Sequence, residues 1–259
     1  LVLMAMLALN VSNEVLNSFD ILDEGLRSTK ETLNQANENI LTELRNREDT
    51  AKVEVTLAKA EQVRKRTTEL VDYIQSLKVE ILEHAGENEA IVDKNTNEID
   101  ATKIKGRDKT DAPAYIMVGD NNDREGKKLR QEIEKFRAFL TEDIIDKEIG
   151  TAQWNSVMSS LNTDANKAHR EQTGKTTELP TWERQHFEHL PLSGVLVIMS
   201  GLQINVRNAE SEALKYLHGQ IGAGEVSFNK IEAAVIPNSN YIMKDNSYKA
   251  KIFLAASDS

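Results

Sequence analysis

The apolar positions of the chain fall into two regimes, a long helical one followed by a short alternating one. From Phe19 they run Leu22, Leu26, Thr29, Leu33, Ala36 and Ile40, at spacings that alternate three and four. That is a heptad seam, the pattern of a helix packed along its length against another helix. It continues without a proline from an apolar opening, so the pattern predicts one helix from Leu1 to about Leu44. Such a helix is roughly 65 Å long, with Gly25 its one soft point.

The same signature recurs. Val53, Leu57, Ala60, Val63, Thr67, Leu70, Ile74, Leu77 and Ile81 make a second seam, and Leu129, Ile133, Phe136, Leu140 and Ile144 a third. Leu192, Val195, Met199, Leu202, Val206, Ala209, Ala213 and Leu217 make a fourth. Four long amphipathic segments predict a four-helix bundle. Residues 85–112 are polar and weakly periodic, with room for one short strand or helix. "AYIMV" (114–118) reads as a short strand. A second polar connection, 163–185, leads to "PTWERQHFEHLPL", with Pro191 at the start of the fourth helix.

After Gly224 the period changes to two. "VSFNKIEAAVI", "NYIMK" and "YKAKIFLAA" predict three strands separated by the turns "PNSN" and "KDNS". Three strands bury too little surface to stand alone, so they read as the beginning of a β-rich domain. With no Met at position 1 either, the sequence reads as an internal piece of a longer protein.

The opening "LVLMAMLALNV" is unbroken apolar except for Asn10. Eleven helical residues rise about 16 Å, half of a hydrocarbon core. The stretch is the end of a core helix, a signal-peptide remnant, or the outer half of a transmembrane helix. The absence of any polar break before the next helix disfavours the signal peptide.

Composition narrows the function classes. The net charge of −10 argues against nucleic acid and against a peripheral grip on anionic lipid, both of which need a basic face. Charged residues at 29% with aromatics at 5% suit long helices with solvated outer faces. Cysteine is absent, which removes disulfides, thiol catalysis and cysteine metal clusters.

Two stretches imitate metal sites. In "NDREGKKLRQE", Asn121, Asp123, Glu125, Gly126 and Glu132 match five positions of a calcium loop. Asn stands where Asp belongs, Lys128 replaces an apolar residue, and Pro113 interrupts the preceding helix. The reading preferred is a helix start, with Asn122 as N-cap and Glu125 three residues on. In "HFEH", His186 and His189 lack the spacing of four and the third ligand that zinc on a helix needs. The stretch reads as a loop whose Trp182 and Phe187 pack on the bundle. No nucleophile elbow, phosphate loop or dinucleotide fingerprint is present, so the expectation is no enzyme, no cofactor and no metal.

Three stretches, "MLALNVSNEVLNSFDILDEGL", "WERQHFEHLPL" and "KIEAAVIPNSNYIMKDNSYKAKIFLAASDS", resemble the GldM (PorM) family of the Bacteroidetes gliding and type IX secretion motor. The resemblance spans essentially the whole chain. It implies a transmembrane helix whose outer half is residues 1–13, then a periplasmic helical bundle over 14–222, and a β-sandwich-like domain beginning at 223–259. It further implies a homodimeric shaft anchored in the inner membrane within a ring of a GldL-like protein. Proton-motive force would drive it, and the shaft would reach the outer-membrane ring components. On that reading Leu3, Met6, Leu7 and Asn10 face the membrane partner, and Phe19, Leu22, Leu26, Leu33 and Ile40 form the dimer or bundle seam. Residues 1–13 hold no ionisable group, so none of them relays protons.

A second reading, a membrane-anchored sensory or ligand-binding helical domain, needs a returning apolar span. Val195 to Ile204 is the only other apolar run; it is short, and Ser200 and Gly201 interrupt it. A metal-dependent enzyme is a distant third.

Overall fold

The computed structural model describes residues 12–47, 51–165, 181–222, 230–237 and 250–257. The chain divides into two compact units, residues 1–218 and 219–259.

The first unit is built on long helices. α1 spans Asn13–Arg45. Its N-cap, Ser12, is extended, and its side chain accepts from the Val15 N–H. Helix starts leave such N–H groups without partners, and a serine hydroxyl supplies one. This corrects the expectation of a helix running unbroken from Leu1. The residues before Ser12, and with them the proposed membrane stub, lie outside the described residues.

α2 spans Ala51–His84 and runs antiparallel to α1. The cross-contacts Arg45–Glu61, Arg64–Glu38 and Lys78–Asp23 pair descending with ascending numbers. The second seam packs as predicted. Val53, Ala60, Val63, Thr67, Leu70, Ile74, Leu77 and Ile81 are buried, with Leu57 half-buried.

The connection after α2 is more structured than its weak periodicity suggests. A 3-10 turn at Asn88–Ala90 leads into β1 (Ile91–Asp93), which pairs antiparallel with β2 (Glu98–Ile99). A second 3-10 turn covers Ala101–Lys103. "AYIMV" is not a strand: α3 spans Asp111–Met117 and takes most of it. Ala112, Pro113, Ile116 and Met117 are buried at helical spacing. Pro113 sits in the first turn, where a missing N–H costs nothing.

α4 spans Glu125–Ala138, and a π-helical turn follows at Phe139–Ile144. Tyr73 with Glu125, and Arg66 over the Phe139 ring, place α4 antiparallel to α2. All five positions of the third seam are buried, and the wider π turn carries Leu140 and Ile144. Next come α5 (Thr151–Ser160) and α6 (Trp182–Phe187). The loop expected at 182–187 is thus a short helix, capped by the Thr181 side chain. Trp182 and Phe187 are buried as expected.

α7 spans Leu192–Gly222 directly after Pro191. Its first N–H groups donate outward, Leu192 to Lys109 O at 2.8 Å and Ser193 to Arg107 O at 3.1 Å. Leu192, Val195, Met199, Val206, Ala209, Ala213 and Leu217 are buried. α2 therefore runs against α1, α4 and α7, an arrangement with the bundle character that the four seams predict. Among the described residues no helix is long and apolar enough to cross a membrane.

In the second unit β3 (Lys230–Pro237) pairs antiparallel with β4 (Ala250–Ser257), from Lys230↔Ser257 to Pro237↔Ala250. The predicted middle strand "NYIMK" lies outside the described residues.

Phe187 is fully buried among the helices. Phe187→Ala should cost about 3–5 kcal/mol, the sum of lost transfer energy and a residual cavity. Urea unfolding checks this, and a loss within error of zero would mean that α6 is not part of the core.

Candidate functional site

The interior of the first unit holds ionised and amide side chains at three heights; two of them join α1, α2 and α7, and one joins α2, α7 and the hairpin. At the first, Ser200 Oγ on α7 donates to Asp23 Oδ1 on α1 at 2.5 Å. Lys78 Nζ on α2 donates to the same hydroxyl at 2.6 Å and lies 3.8 Å from Asp23. Three residues, one from each helix, thus close on one another, and all are buried.

At the second height Gln203 Nε2 donates to Val71 O at 3.0 Å and to Gln75 Oε1 at 3.1 Å. Gln75 in turn donates to Asn97 O at 2.7 Å, which fastens the β1–β2 hairpin to the bundle. At the third, Glu210 is fully buried. Its carboxylate accepts from Asn37 Nδ2 at 2.8 Å and from Arg64 at 3.1 Å, and pairs with Arg207 at 3.0 Å. A buried charge is tolerated only with partners of this kind.

Electrostatics follow from burial and partners. Burial pushes the Lys78 ammonium down from its ordinary 10.5 to about 8, although Asp23 pulls the other way. Burial alone would raise Glu183, but its own N–H, the Thr181 side chain, Arg130 and Asn122 outweigh that and hold it low. Arg130 Nε meets the Glu183 carboxylate at 2.7 Å and joins α4 to α6. Glu87 is likewise held low: burial raises it, but the N–H groups of Lys105 and Gly106 and the Lys109 ammonium prevail.

The two metal-like stretches have other employment. Glu125 accepts from Tyr73 and from Lys128, and Glu132 pairs with Lys135. Asn122 has φ +54° and reaches Glu183, while Arg124 occupies the N-cap position of α4 without a side-chain cap. The Asn122–Glu125 capping pair is therefore a correction; the helix starts two residues later than that pair requires. His186 Nδ1 lies 2.7 Å from Trp182 O and its ring packs on Trp182. His189 sits in the left-handed region at φ +61°. Among the described residues no three His, Asp or Glu side chains are placed to hold a metal.

The first seam is distributed in an unexpected way. The inward stripe of α1 is Leu16, Asp23, Asn37, Leu41 and Leu44. Phe19, Leu26, Leu33 and Ile40 are half-buried at its edge, and Leu22 is 53% exposed. Beyond them lies an open sector carrying Ser18, Ile21, Leu22, Gly25, Thr29 and Thr32, all exposed. Stepping 100° per residue, this sector holds no charged side chain between Glu14 and Glu43. Leu3, Met6, Leu7 and Asn10 lie outside the described residues.

Glu210 and Asp23 escaped the sequence reading because a carboxylate on an amphipathic helix reads as solvated surface, and Glu183 because its stretch read as a loop. Only the positions of Asp23 and Glu210 on the inner stripes could have marked those two.

The described helices thus form a structural module whose buried ionisable groups join its own helices. The family model of the GldM N-terminal domain matches residues 14–220, and that of the GldM second domain matches residues 222–259. The chain belongs to the GldM family, and is a component of the gliding-motility and type IX secretion machinery. A comparison with curated proteins finds no match.

Asp23→Ala should cost about 3–5 kcal/mol, because it leaves the Lys78 ammonium buried without a counter-charge. Asp23→Leu combined with Lys78→Met should cost far less. A single-variant loss below about 1 kcal/mol would show that the pair is not buried in solution.

The pH dependence carries a sign. Folded Lys78 releases its proton near pH 8, whereas the unfolded side chain holds it up to 10.5. Between these values the unfolded chain binds more protons, so the cost of burying the Lys78 charge is relieved, and stability rises, as pH rises through the window. Denaturant unfolding from pH 7.5 to 10.5 should show this rise in the native protein relative to the double variant. Parallel curves would sink it.

Proposed function

We propose that the chain is the periplasmic shaft of an inner-membrane motor driven by proton-motive force. It carries mechanical energy from a GldL-like membrane ring to the outer-membrane machinery. Residues 1–13 would supply the outer half of a single membrane span, 14–222 the bundle and 223–259 the beginning of a β-sandwich-like domain. Leu3, Met6, Leu7 and Asn10 would face the ring.

The observation that carries this reading is the cross-tying of the bundle at three heights, two of which include α1, α2 and α7 together. Each helix is about 45–50 Å long, and each tie joins all three or brings the hairpin with them. A set of parallel rods fastened at several levels resists bending and twisting far better than one rod. α7 ends at Gly222, where the second matched domain begins, so load reaching the bundle has a helical path onward.

The open uncharged sector of α1 supports a homodimer. A second copy of that sector would cover Ile21 and Leu22, which are 75% and 53% exposed, without burying a charge. The seam residues Phe19, Leu26, Leu33 and Ile40 would lie along its margin.

Two experiments test this. About ten Gly/Ser residues inserted after Gly222 should leave the bundle folded and the membrane complex able to copurify, while export in cells fails. An insert after Gly25 would be the wrong choice, since Asp20 and Asp23 before it already hold bundle contacts. Normal export with an intact complex would show that the chain is no drive shaft. Separately, Leu22→Glu with Thr29→Glu, both on exposed positions, should turn the detergent-solubilised full-length protein from dimer to monomer by mass. A dimer that persists would rule out this face.

A further inference from the structure

A cavity of about 380 Å³ opens between α1, α2, the β1–β2 hairpin and α7. Three cations reach it: Arg27 and Lys30 from α1, and Lys78 from α2. Its one buried carboxylate, Asp23, is committed to Ser200 and Lys78. The two other carboxylates of the lining, Asp72 and Glu98, are exposed, and neither forms an ion pair with Arg27 or Lys30.

Lys30 is the anomaly. It is half-buried, yet among the described residues it makes neither an ion pair nor a hydrogen bond. Its electrostatic neighbours are Arg27 and Arg207, which oppose its charge, and Asp23 and Glu31, which favour it without forming an ion pair. Arg27 uses its guanidinium on a carbonyl, donating to Ile99 O at 2.6 Å, and has no carboxylate partner among the described residues. Arg207, one turn further along α7, has a buried Nε without an acceptor. An ammonium partly removed from water costs free energy unless an anion meets it; Lys30 has no ion-pair partner among the described residues, and the exposed Arg27 lines the same cavity.

We infer that this cavity binds a small oxyanion, a carboxylate- or phosphate-bearing solute held by Lys30 and Arg27. The unused N–H donors of Arg27 match the forked acceptors of either group. Lys30 adds a point charge from the next turn of the same helix face. Gln75 and Gln203 are held by each other and by the backbone, so the polar wall presented to the ligand is fixed before it binds. An occupant would bridge α1 to the hairpin and so add a tie between those already present. The inference does not rest on the shaft reading: it concerns a ligand of the bundle whatever the bundle transmits.

The test is calorimetric titration of the purified protein with inorganic phosphate and, separately, with succinate, against sodium chloride at matched ionic strength. Either oxyanion should bind the native protein, and thermal unfolding should shift upward with its concentration. Which one binds identifies the group recognised. Lys30→Gln should weaken binding at least tenfold, and Arg27→Gln should do so independently, so a folding defect in one variant leaves the other to decide. Lys65→Gln, at an exposed lysine elsewhere on α2, should bind as the native protein does. Binding that is unchanged in Lys30→Gln and Arg27→Gln, stabilisation by chloride equal to that by the oxyanions, or no binding of either at millimolar concentrations would overturn the inference.

Discussion

The rest of the first unit depends on the burial of charge between α1, α2 and α7. Apolar faces of long helices attract one another without direction, so a helix can slide or rotate against its neighbour at modest cost. A buried carboxylate removes that freedom. Glu210 must meet Asn37 and Arg64 together, and Asp23 must meet Ser200 and Lys78. Moving α7 by one turn, about 5.4 Å, would take Glu210 away from Asn37 and Arg64 and Ser200 away from Asp23 and Lys78. The register of three helices is thereby fixed at two points some ten residues apart on α7.

The same interaction explains which parts of the fold were legible in the sequence. The second, third and fourth seams each hold a nearly unbroken series of apolar residues, so a 3.6-residue period finds them even where polar side chains such as Gln203 and Glu210 lie beside the series. Nearly all of their residues are buried. α1 is different: its inner stripe includes Asp23 and Asn37, while Leu22 points outward. A reading that takes polar for outside turns that helix by about one residue. Short segments fail for a related reason. "AYIMV" has the composition of a strand, but its neighbours Ala112 and Pro113 are buried with it at helical spacing, and this packing decides. Ser12 is the clearest lesson in local chemistry, since one hydroxyl placed on the Val15 N–H starts a helix where periodicity alone sees continuity.

The candidate site was less legible than the fold. Motif matching drew attention to Asp123 and to His186, whose ring is engaged with Trp182 O, and passed over Glu183 on the same short helix as His186. Glu183 is buried and joins α4 to α6 through Arg130. No motif encodes such a pair because its members lie 53 residues apart. Only the fold brings them together.

The polar interior also bears on what the module can transmit. Replacing a buried ionic cluster with well-packed apolar side chains is often neutral or stabilising, so stability alone does not account for the clusters at Asp23 and Glu210. What directional contacts add is resistance to relative motion. Rotating α7 about its own axis leaves much of an apolar interface in contact, but it breaks the hydrogen bonds of Ser200, Gln203 and Glu210 together, since all three project from one face of that helix. Torsional stiffness of this kind matters to a part that carries load and matters little to one that only needs to stay folded. The layout also assigns the two sides of α1 different work. Its inner side is tied by charge and fixed in register, while its outer side is uncharged and leaves Ile21 and Leu22 in water. A helix held rigidly from within presents its outer face in a defined orientation, which is the condition for a second copy to meet it along its length.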